Sequence, residues 1–327
     1  MNYLSIPFYF FIGALLAEFS FSRSLKIYSY PWKETVSNIS HGLVQLVFNI
    51  ILKGPLIFIY GFCYEHLSLF KLSSSFIEVA ALLLLIDFIY YWFHRFSHGN
   101  SFFWANHIIH HQPKTFNFSV GLRPPLFNEI FSFWIHLPAA FLGFSPETYV
   151  IVFISHTSYQ LINHTNFFKR PFPYLKWILV TPSHHRVHHG QNDHYINKNF
   201  GALFSFWDVL FKTYQCEDEK VVYGVKGENC EDLNPITSSL IPIFHYFGIK
   251  RTFERPFWLE SFYKKLPYIK FWAIGFLIFS LILTFGFLKI YDGLAWPIKF
   301  LVIFYLILLK CIVGTILNHC AFSKNEK

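Results

Sequence analysis

Histidine is concentrated in three short boxes within a sequence that is otherwise strongly apolar. The first box places His94 and His98 at HxxxH spacing, and residues 107–111 form an HxxHH box. Residues 184–189 read HHxxHH, so the three boxes hold nine of the chain's 17 histidines. Residues at i, i+3 and i+4 share one face of a helix, so each box can present its imidazoles together. The boxes predict a metal site, and the fold must bring three separate segments into contact to build it.

The number of imidazoles indicates more than one metal ion. The boxes supply eight imidazoles before His164 or His184 is counted, and a single tetrahedral site cannot use them all. We therefore predict two metals. Imidazole suits iron, zinc, copper and nickel, and no cysteine box favours a softer metal. A zinc-buffering surface would be an exposed tract of low complexity, whereas these boxes lie in aromatic sequence.

The composition is that of a membrane protein. Of the 327 residues, 54% are hydrophobic and only 14% are charged, whereas soluble domains carry about 25% charged residues. Apolar runs of membrane length are predicted at 4–21, 43–62, 76–93, 271–287 and 298–317. Runs at 126–144 and 147–161 predict a helical hairpin that enters the membrane and returns on the same side. The formal charge of +8 has no accompanying nucleic-acid-binding motif, so no nucleic-acid partner is expected.

These runs predict an all-α integral membrane protein, a transmembrane helical bundle with a histidine-box di-metal site on its cytoplasmic side. Residues 1–75 are predicted as N-terminal membrane helices, 76–265 as the histidine-box catalytic domain and 266–327 as a C-terminal transmembrane helix pair. The loop at 22–42 has three basic residues and one acid, while the break at 65–75 has one of each. Basic loops stay in the cytoplasm. His94 and His98 are therefore expected at the cytoplasmic face of a multi-pass protein in a bacterial inner membrane or endoplasmic reticulum.

Three further side chains are expected near the metals. Asp87 precedes His94 by seven residues on the same helical face, and it is predicted to orient an imidazole through its second nitrogen, with a hydrogen bond between helices as the alternative. A core or supporting position is favoured over ligation for His156. His184 is likewise expected to support the site, since only one of two adjacent helical residues can face the metal well.

The residues around the boxes resemble a known family. The stretches DFIYYWFHR (87–95), WANH (104–107), YQLINHT (159–165) and TPSHHRVHHG (181–190) are followed by NKNFG (197–201) and KVVYG (220–224). In this order they resemble the fatty acid hydroxylase / sterol desaturase superfamily, and most closely its alkylglycerol monooxygenase branch. This chain differs from the usual branch pattern at Gly99, where the branch has glutamate, and at Asn197 and Lys212, where it has aspartate and glycine.

The resemblance implies an integral membrane di-iron monooxygenase. It also implies tetrahydrobiopterin as the reductant and a glyceryl ether as the substrate. The ligand set that it implies is His94, His98, His107, His110, His111, His164, His185, His188 and His189.

The predicted reaction is O2-dependent hydroxylation of an unactivated C–H bond in a lipid. No fused cytochrome b5 module is apparent, so a separate electron donor or a diffusible reductant is expected. The aromatic residues between the boxes, including Phe102, Phe103, Trp104, Phe116 and Phe118, are candidates for an acyl channel or for an interfacial belt.

Three alternative functions remain at this point. A sterol or fatty acyl hydroxylase or desaturase would use the same histidines. A metal transporter would place its histidines deep within the spans, whereas here they lie at span ends. A zinc hydrolase would need a glutamate base, as in HExxH, and no box contains one.

Overall fold

The computed structural model describes residues 6–25, 30–73, 75–168, 174–227, 232–249 and 269–322. Within them the protein is helical, and pairing of extended backbone is limited to two isolated bridges. The helices are α1 (Ile6–Leu25), α2 (Trp32–Leu67), α3 (Phe76–Gly99), α4 (Ser101–His111), α5 (Asn128–Phe141), α6 (Pro146–Ile162), α7 (Pro182–His188), α8 (Phe206–Leu210), α9 (Pro235–Tyr246), α10 (Ile269–Ile290) and α11 (Trp296–Phe322).

Four of the described helices, α2, α3, α10 and α11, are long and apolar enough to cross a membrane. This finding fits a membrane protein. The first predicted run lies in α1, which is not among the four. Residues 4 and 5 of that run lie outside the described residues. Within α1, the buried carboxylate of Glu18 accepts hydrogen bonds from the Phe118 amide, at 2.7 Å, and from the hydroxyls of Tyr30 and Thr165. An acid with these partners fixes α1 to the histidine-box region.

Helix α2 is much longer than the run that predicts it. Its 36 residues correspond to about 54 Å of α-helix, well beyond the hydrocarbon core of a bilayer. The first turns, from Glu34 to Val47, are largely buried and include the polar side chains of Ser37, Asn38 and His41. This end of α2 therefore packs inside the protein.

The predicted helical hairpin is present as α5 and α6. The Ser145 hydroxyl caps α6 by accepting from the Thr148 amide, and Pro146 occupies the first helical position. The two helices have 14 and 17 residues, so each is shorter than the roughly 20 residues that a full span needs. They pack with α2 and α3 around a core that contains Tyr60, Ile86 and Phe144.

Helices α10 and α11 form the C-terminal pair and pack against α2. Lys310 interrupts the apolar sequence of α11 and points into the bundle. Its ammonium donates to the Thr284 hydroxyl at 3.2 Å and to the Leu306 carbonyl at 3.1 Å. The predicted boundary between residues 265 and 266 lies outside the described residues.

Candidate metal centre

The first two boxes lie on consecutive helices joined at a single residue. Ser75 and Glu78 form a capping box that starts α3, and the helix ends at Gly99. The Asn100 side chain then accepts from the amides of Phe102 and Phe103, at 3.0 and 3.3 Å, and begins α4. This sharp junction folds the second box back onto the first.

The third box lies on α7, and its first histidine serves as a cap. Nδ1 of His184 accepts from the Thr181 amide at 3.0 Å and lies 2.9 Å from the Thr181 hydroxyl. The His184 ring belongs to neither of the two groups of histidines whose ring nitrogens lie close together. His184 was expected to support the site, and its observed contacts are with Thr181 at the N-terminus of α7. His185 is rotated by about 100° from it along the helix and faces inward instead.

The nine predicted ligands fall into two adjoining clusters. Within each cluster the candidate ligand atoms lie within 4.8 Å of one another. The rings of His111 and His189, one from each cluster, stack at a centroid distance of 4.5 Å. The cluster of five contains His94, His98, His107, His111 and His188, and the cluster of four contains His110, His164, His185 and His189.

Backbone carbonyls fix which nitrogen points inward. Nδ1 lies within hydrogen-bonding distance of a carbonyl oxygen in His94 (Phe200, 3.0 Å), His110 (Arg123, 3.1 Å), His164 (Gln160, 3.1 Å) and His188 (Lys198, 3.0 Å). A carbonyl only accepts, so Nδ1 carries the proton in each ring. In a neutral imidazole Nε2 is then left with an unshared lone pair.

The inward Nε2 atoms of neighbouring histidines lie so close together that neutral rings would repel one another. Those of His110 and His164 are 3.3 Å apart, although each ring holds its proton on Nδ1. Further Nε2 pairs lie 2.8 to 3.2 Å apart. Among the described residues, the buried Nε2 atoms of His98 and His188 have no hydrogen-bond partner. Facing lone pairs of this kind repel one another unless a cation lies between them.

The spacing suits metal ligation. Imidazole nitrogens bind a divalent metal at about 2.1 Å, so two such ligands at right angles are about 3 Å apart. The observed Nε2 separations of 2.8 to 3.3 Å agree with that value. The residues present therefore fit a pair of metal ions.

Burial keeps these imidazoles neutral. It lowers the pKa of His110 to about 4, and it holds the pKa values of His107, His111, His185 and His188 well below the usual value, with neighbouring imidazoles adding to the effect. The same cause lowers the pKa values of His164 and His189. Metal ions bind the neutral ring, so the cluster needs no deprotonation at pH 7.

A single loop supplies the carbonyls that hold His94 and His188. Asn197 and Asn199, on either side of Lys198, have positive φ angles of 59° and 55°. These angles direct the carbonyls of residues 198 and 200 toward the rings of His188 and His94, respectively. The Asn199 side chain donates to the His184 carbonyl at 3.1 Å and accepts from the Gln215 amide at 2.8 Å. The turn is therefore fixed by its own side chains.

Two buried aspartates anchor this loop. Asp208 accepts from the amides of Phe200 and Gly201 at 2.7 and 2.9 Å, and from the Thr213 hydroxyl at 2.7 Å. Asp87 accepts from the amides of Leu203 and Phe204 at 2.8 and 3.0 Å. Burial raises the pKa of Asp208 to about 6.

Asp87 of α3 contacts an imidazole of another helix, α6. Its partner ring is His156, with Nε2 at 2.7 Å, and neither residue belongs to a cluster. Nδ1 of His156 lies 3.1 Å from the side-chain amide nitrogen of Gln160. Asp87 instead reaches His94 indirectly, through the loop whose Phe200 carbonyl bonds that ring.

Two buried arginines position the remaining segments, and sequence reasoning did not select either of them. Arg123 donates to the Ile109 carbonyl and the Gln112 side chain at 2.8 and 2.9 Å, and its own carbonyl bonds His110. Arg186 forms a two-pronged ion pair with Glu217 at 2.8 and 2.6 Å. Arg186 lies within the third histidine box, which was the available signal for it, whereas Arg123 follows the second box by 12 residues.

The candidate channel aromatics separate into two groups. Trp104 lies 5.0 Å from the His98 ring, and Phe116 lies 5.2 Å from the His189 ring. Phe102 and Phe103 instead pack on Phe131. Phe118 belongs to a core cluster with residues of α1. Only the first group therefore borders the histidines.

Several known proteins are similar to this chain in sequence. Residues 79–213 match the family model for fatty acid hydroxylases. The alkylglycerol monooxygenase of Homo sapiens is 34% identical over 248 residues, which cover 75% of this chain and 54% of the human protein. That of Xenopus tropicalis is 34% identical over 225 residues, or 66% of this chain and 48% of the frog protein. A very-long-chain aldehyde decarbonylase of Oryza sativa subsp. japonica is 24% identical over 221 residues, or 63% of this chain and 33% of the rice protein.

The chain spans about half the length of the two animal relatives. No solved structure matches it. All nine clustered histidines lie within the matched region. Residues 79–213, which hold all nine clustered histidines, are therefore a fatty acid hydroxylase domain.

Proposed function

We propose that the nine clustered histidines hold two iron ions and that the protein is an O2-dependent monooxygenase, which hydroxylates a lipid C–H bond. The observation that carries this proposal is the pair of clusters whose Nε2 lone pairs face one another at about the separation expected for two ligands of one metal ion. Family membership supports iron and lipid chemistry for the site. When bound, the metal pair supplies the activation of O2.

The protein's own residues prepare the ligands. Carbonyls of residues 123, 160, 198 and 200 hold the Nδ1 protons and so keep four Nε2 atoms free. Burial of the clustered rings keeps them unprotonated and limits access by water. A site shielded in this way suits a reaction in which an oxidant must react with a lipid before it reacts with water.

The proposed substrate is a glyceryl ether. Hydroxylation of the carbon next to the ether oxygen gives a hemiacetal, which collapses to an aldehyde and an alcohol. The names of the two animal relatives support this choice. Tetrahydrobiopterin, or a separate electron donor, is the proposed reductant. The basic loop at 22–42 supports a metal centre on the cytoplasmic side of the membrane.

Aerobic turnover of an alkylglycerol by purified, iron-loaded protein, with and without tetrahydropterin, tests the proposal. We expect fatty aldehyde to be released only when pterin is present. Protein that holds two irons but releases no aldehyde would refute ether cleavage and direct the search to sterols and fatty acyl chains. Protein that binds iron at neither cluster would refute the metal centre itself.

A further inference from the structure

The lipid-facing side of α3 continues onto a segment outside the predicted membrane runs. Phe88 and Trp92 are exposed on this candidate membrane span, at 37% and 41%. The Trp207 ring of α8 lies 5.1 Å from Phe88, and the Phe211 ring lies 4.9 Å from Trp92. Helix α8 is therefore placed directly against the face of α3 that would contact lipid.

The exposed apolar surface continues from these rings onto neighbouring residues. Val209 and Leu210 of α8 are exposed, and so are Tyr174, Trp177 and Ile178. We call residues 174–178 and 206–212 the aromatic platform. Neither segment was predicted to meet the membrane, because each is far too short to register as an apolar run.

Hydrogen bonds join the two parts of the aromatic platform. Ser205 donates its amide to the Ile178 carbonyl at 3.1 Å and its hydroxyl to the Lys176 carbonyl at 2.8 Å. Leu179 and Phe204 form a β-bridge beside them. The exposed side chains are thus presented by a fixed backbone, which has little conformational entropy to lose when the surface is covered.

The charges on the platform are positive. Residues 174–180 and 203–214 contain two lysines, Lys176 and Lys212, and one acid, Asp208. Asp208 is buried and engaged by backbone amides, so it contributes no exposed negative charge. The Lys176 ammonium lies 5.1 Å from the Trp177 ring centroid. Exposed tryptophan and tyrosine with neighbouring lysines are typical of segments at the membrane–water interface, where anionic headgroups attract the lysines.

The position along α3 gives the expected depth. Phe88 and Trp92 follow Phe76, the first residue of α3, by 12 and 16 residues, which is about 18 and 24 Å of helix. If Phe76 lies at one surface of a hydrocarbon core about 30 Å thick, Phe88 and Trp92 lie about 12 and 6 Å below the opposite surface. Helix α8, which packs on these two rings, lies at the same depth. Interfacial helices are buried to a similar depth.

We propose that the aromatic platform lies in the boundary between headgroups and acyl chains, in the membrane leaflet on the side of the metal centre. The inference rests on the proposed function, since it requires α3 to span a membrane. A surface of this kind also suits the binding of a partner protein. Continuity with the lipid-facing side of α3 favours the bilayer. The loop that carries the Lys198 and Phe200 carbonyls would then be held at the membrane surface.

Lipid-quenching fluorescence tests the proposal in the full chain, after its five cysteines are replaced by serine or alanine. Bimane is attached at Leu210→Cys, or independently at Ile178→Cys, in nanodiscs of phosphatidylcholine and phosphatidylglycerol. Lipids with brominated acyl chains act as the quencher. Leu84→Cys, on the exposed face of α3, is the lipid control, and Asp193→Cys, on an exposed loop, is the aqueous control.

We expect quenching at residues 210 and 178 to exceed that at residue 193 at least about twofold, as for an interfacial segment. Quenching at residue 84 without quenching at residues 210 and 178 would overturn the platform and leave the membrane span standing. Labels at 210 and 178 that are shielded from aqueous iodide but not quenched by lipid would indicate a protein partner, and would also overturn the proposal. Failure of quenching at residue 84 would refute the membrane span itself.

Discussion

Replacing Asp87 by asparagine tests whether the loop carbonyls hold the cluster of five. Oδ1 of Asp87 accepts from His156 and Leu203 at 2.7 and 2.8 Å, and Oδ2 accepts from Phe204 and Trp207 at 3.0 and 2.9 Å. Asparagine replaces one oxygen by an NH2 group. Two of the four donors would then face another donor.

The expected loss follows from those four bonds. A buried hydrogen bond to a charged group contributes about 1.5 to 3 kcal/mol, so losing two costs about 3 to 6 kcal/mol in all. Whichever oxygen is replaced, one of the two bonds lost is to a loop amide, that of Leu203 or that of Phe204. The carbonyls of Lys198 and Phe200 would no longer be fixed against His188 and His94. Loss of such outer contacts lowers metal affinity by about 10- to 100-fold. We therefore expect the cluster of five to lose iron before the cluster of four.

Iron per chain after dialysis against a buffered Fe(II) solution measures this effect, and amide hydrogen exchange at Leu203 and Phe204 measures loop opening. The control is Asp193→Asn, because that exposed carboxylate contacts only the Lys226 ammonium among its described ion pairs. Unchanged protection in α10 and α11 would show that the bundle remains folded. If Asp87→Asn keeps both its iron content and its loop protection, the proposed coupling is refuted.

Three further substitutions test other parts of the site. His188→Ala should remove one metal and all activity, since the buried Nε2 of His188 has no partner among the described residues, whereas His194→Ala should leave the iron content unchanged. Gly99→Glu should raise pterin-dependent turnover, because nothing lies within 4 Å of a Cβ at this residue and the glutamate typical of the branch fits there; unchanged turnover would mean that reductant is handled elsewhere. Glu217→Gln should lower stability by about 1 to 2 kcal/mol in thermal unfolding, since it removes the charge opposite buried Arg186 at a partly exposed pair, and an unchanged melting temperature would refute that assignment.

Local patterns in the sequence account for most of the helices. The apolar runs at 76–93, 271–287 and 298–317 lie within α3, α10 and α11, since hydropathy over a span is a property of consecutive residues. Contacts between distant residues show where this reasoning stops. Glu18 contacts Phe118 and Thr165, which are 100 and 147 residues away, and no local pattern records such partners.

The surroundings of the histidines were harder to predict than the histidines themselves. Side-chain types are visible in a sequence, but the supports of His94 and His188 are backbone carbonyls, which every residue possesses. Asp87 could be selected as a buried acid near His94, yet its imidazole partner, His156, lies 69 residues away. Helical spacing therefore selected Asp87 but did not show which imidazole it contacts.

The two HxxHH boxes divide their histidines in the same way. In each, the i and i+4 residues join one cluster and the i+3 residue joins the other: His107 and His111 lie with His188, while His185 and His189 lie with His110. At 100° per residue, i+4 is rotated about 40° to one side of i, and i+3 is rotated about 60° to the opposite side. The adjacent histidines at i+3 and i+4 therefore face different centres. An HxxxH box such as the first has only the i and i+4 residues and contributes to one cluster alone. Adjacent histidines in a box thus indicate a pair of clusters, and they explain why two such boxes, packed against each other, produce clusters that share both of these boxes and adjoin closely.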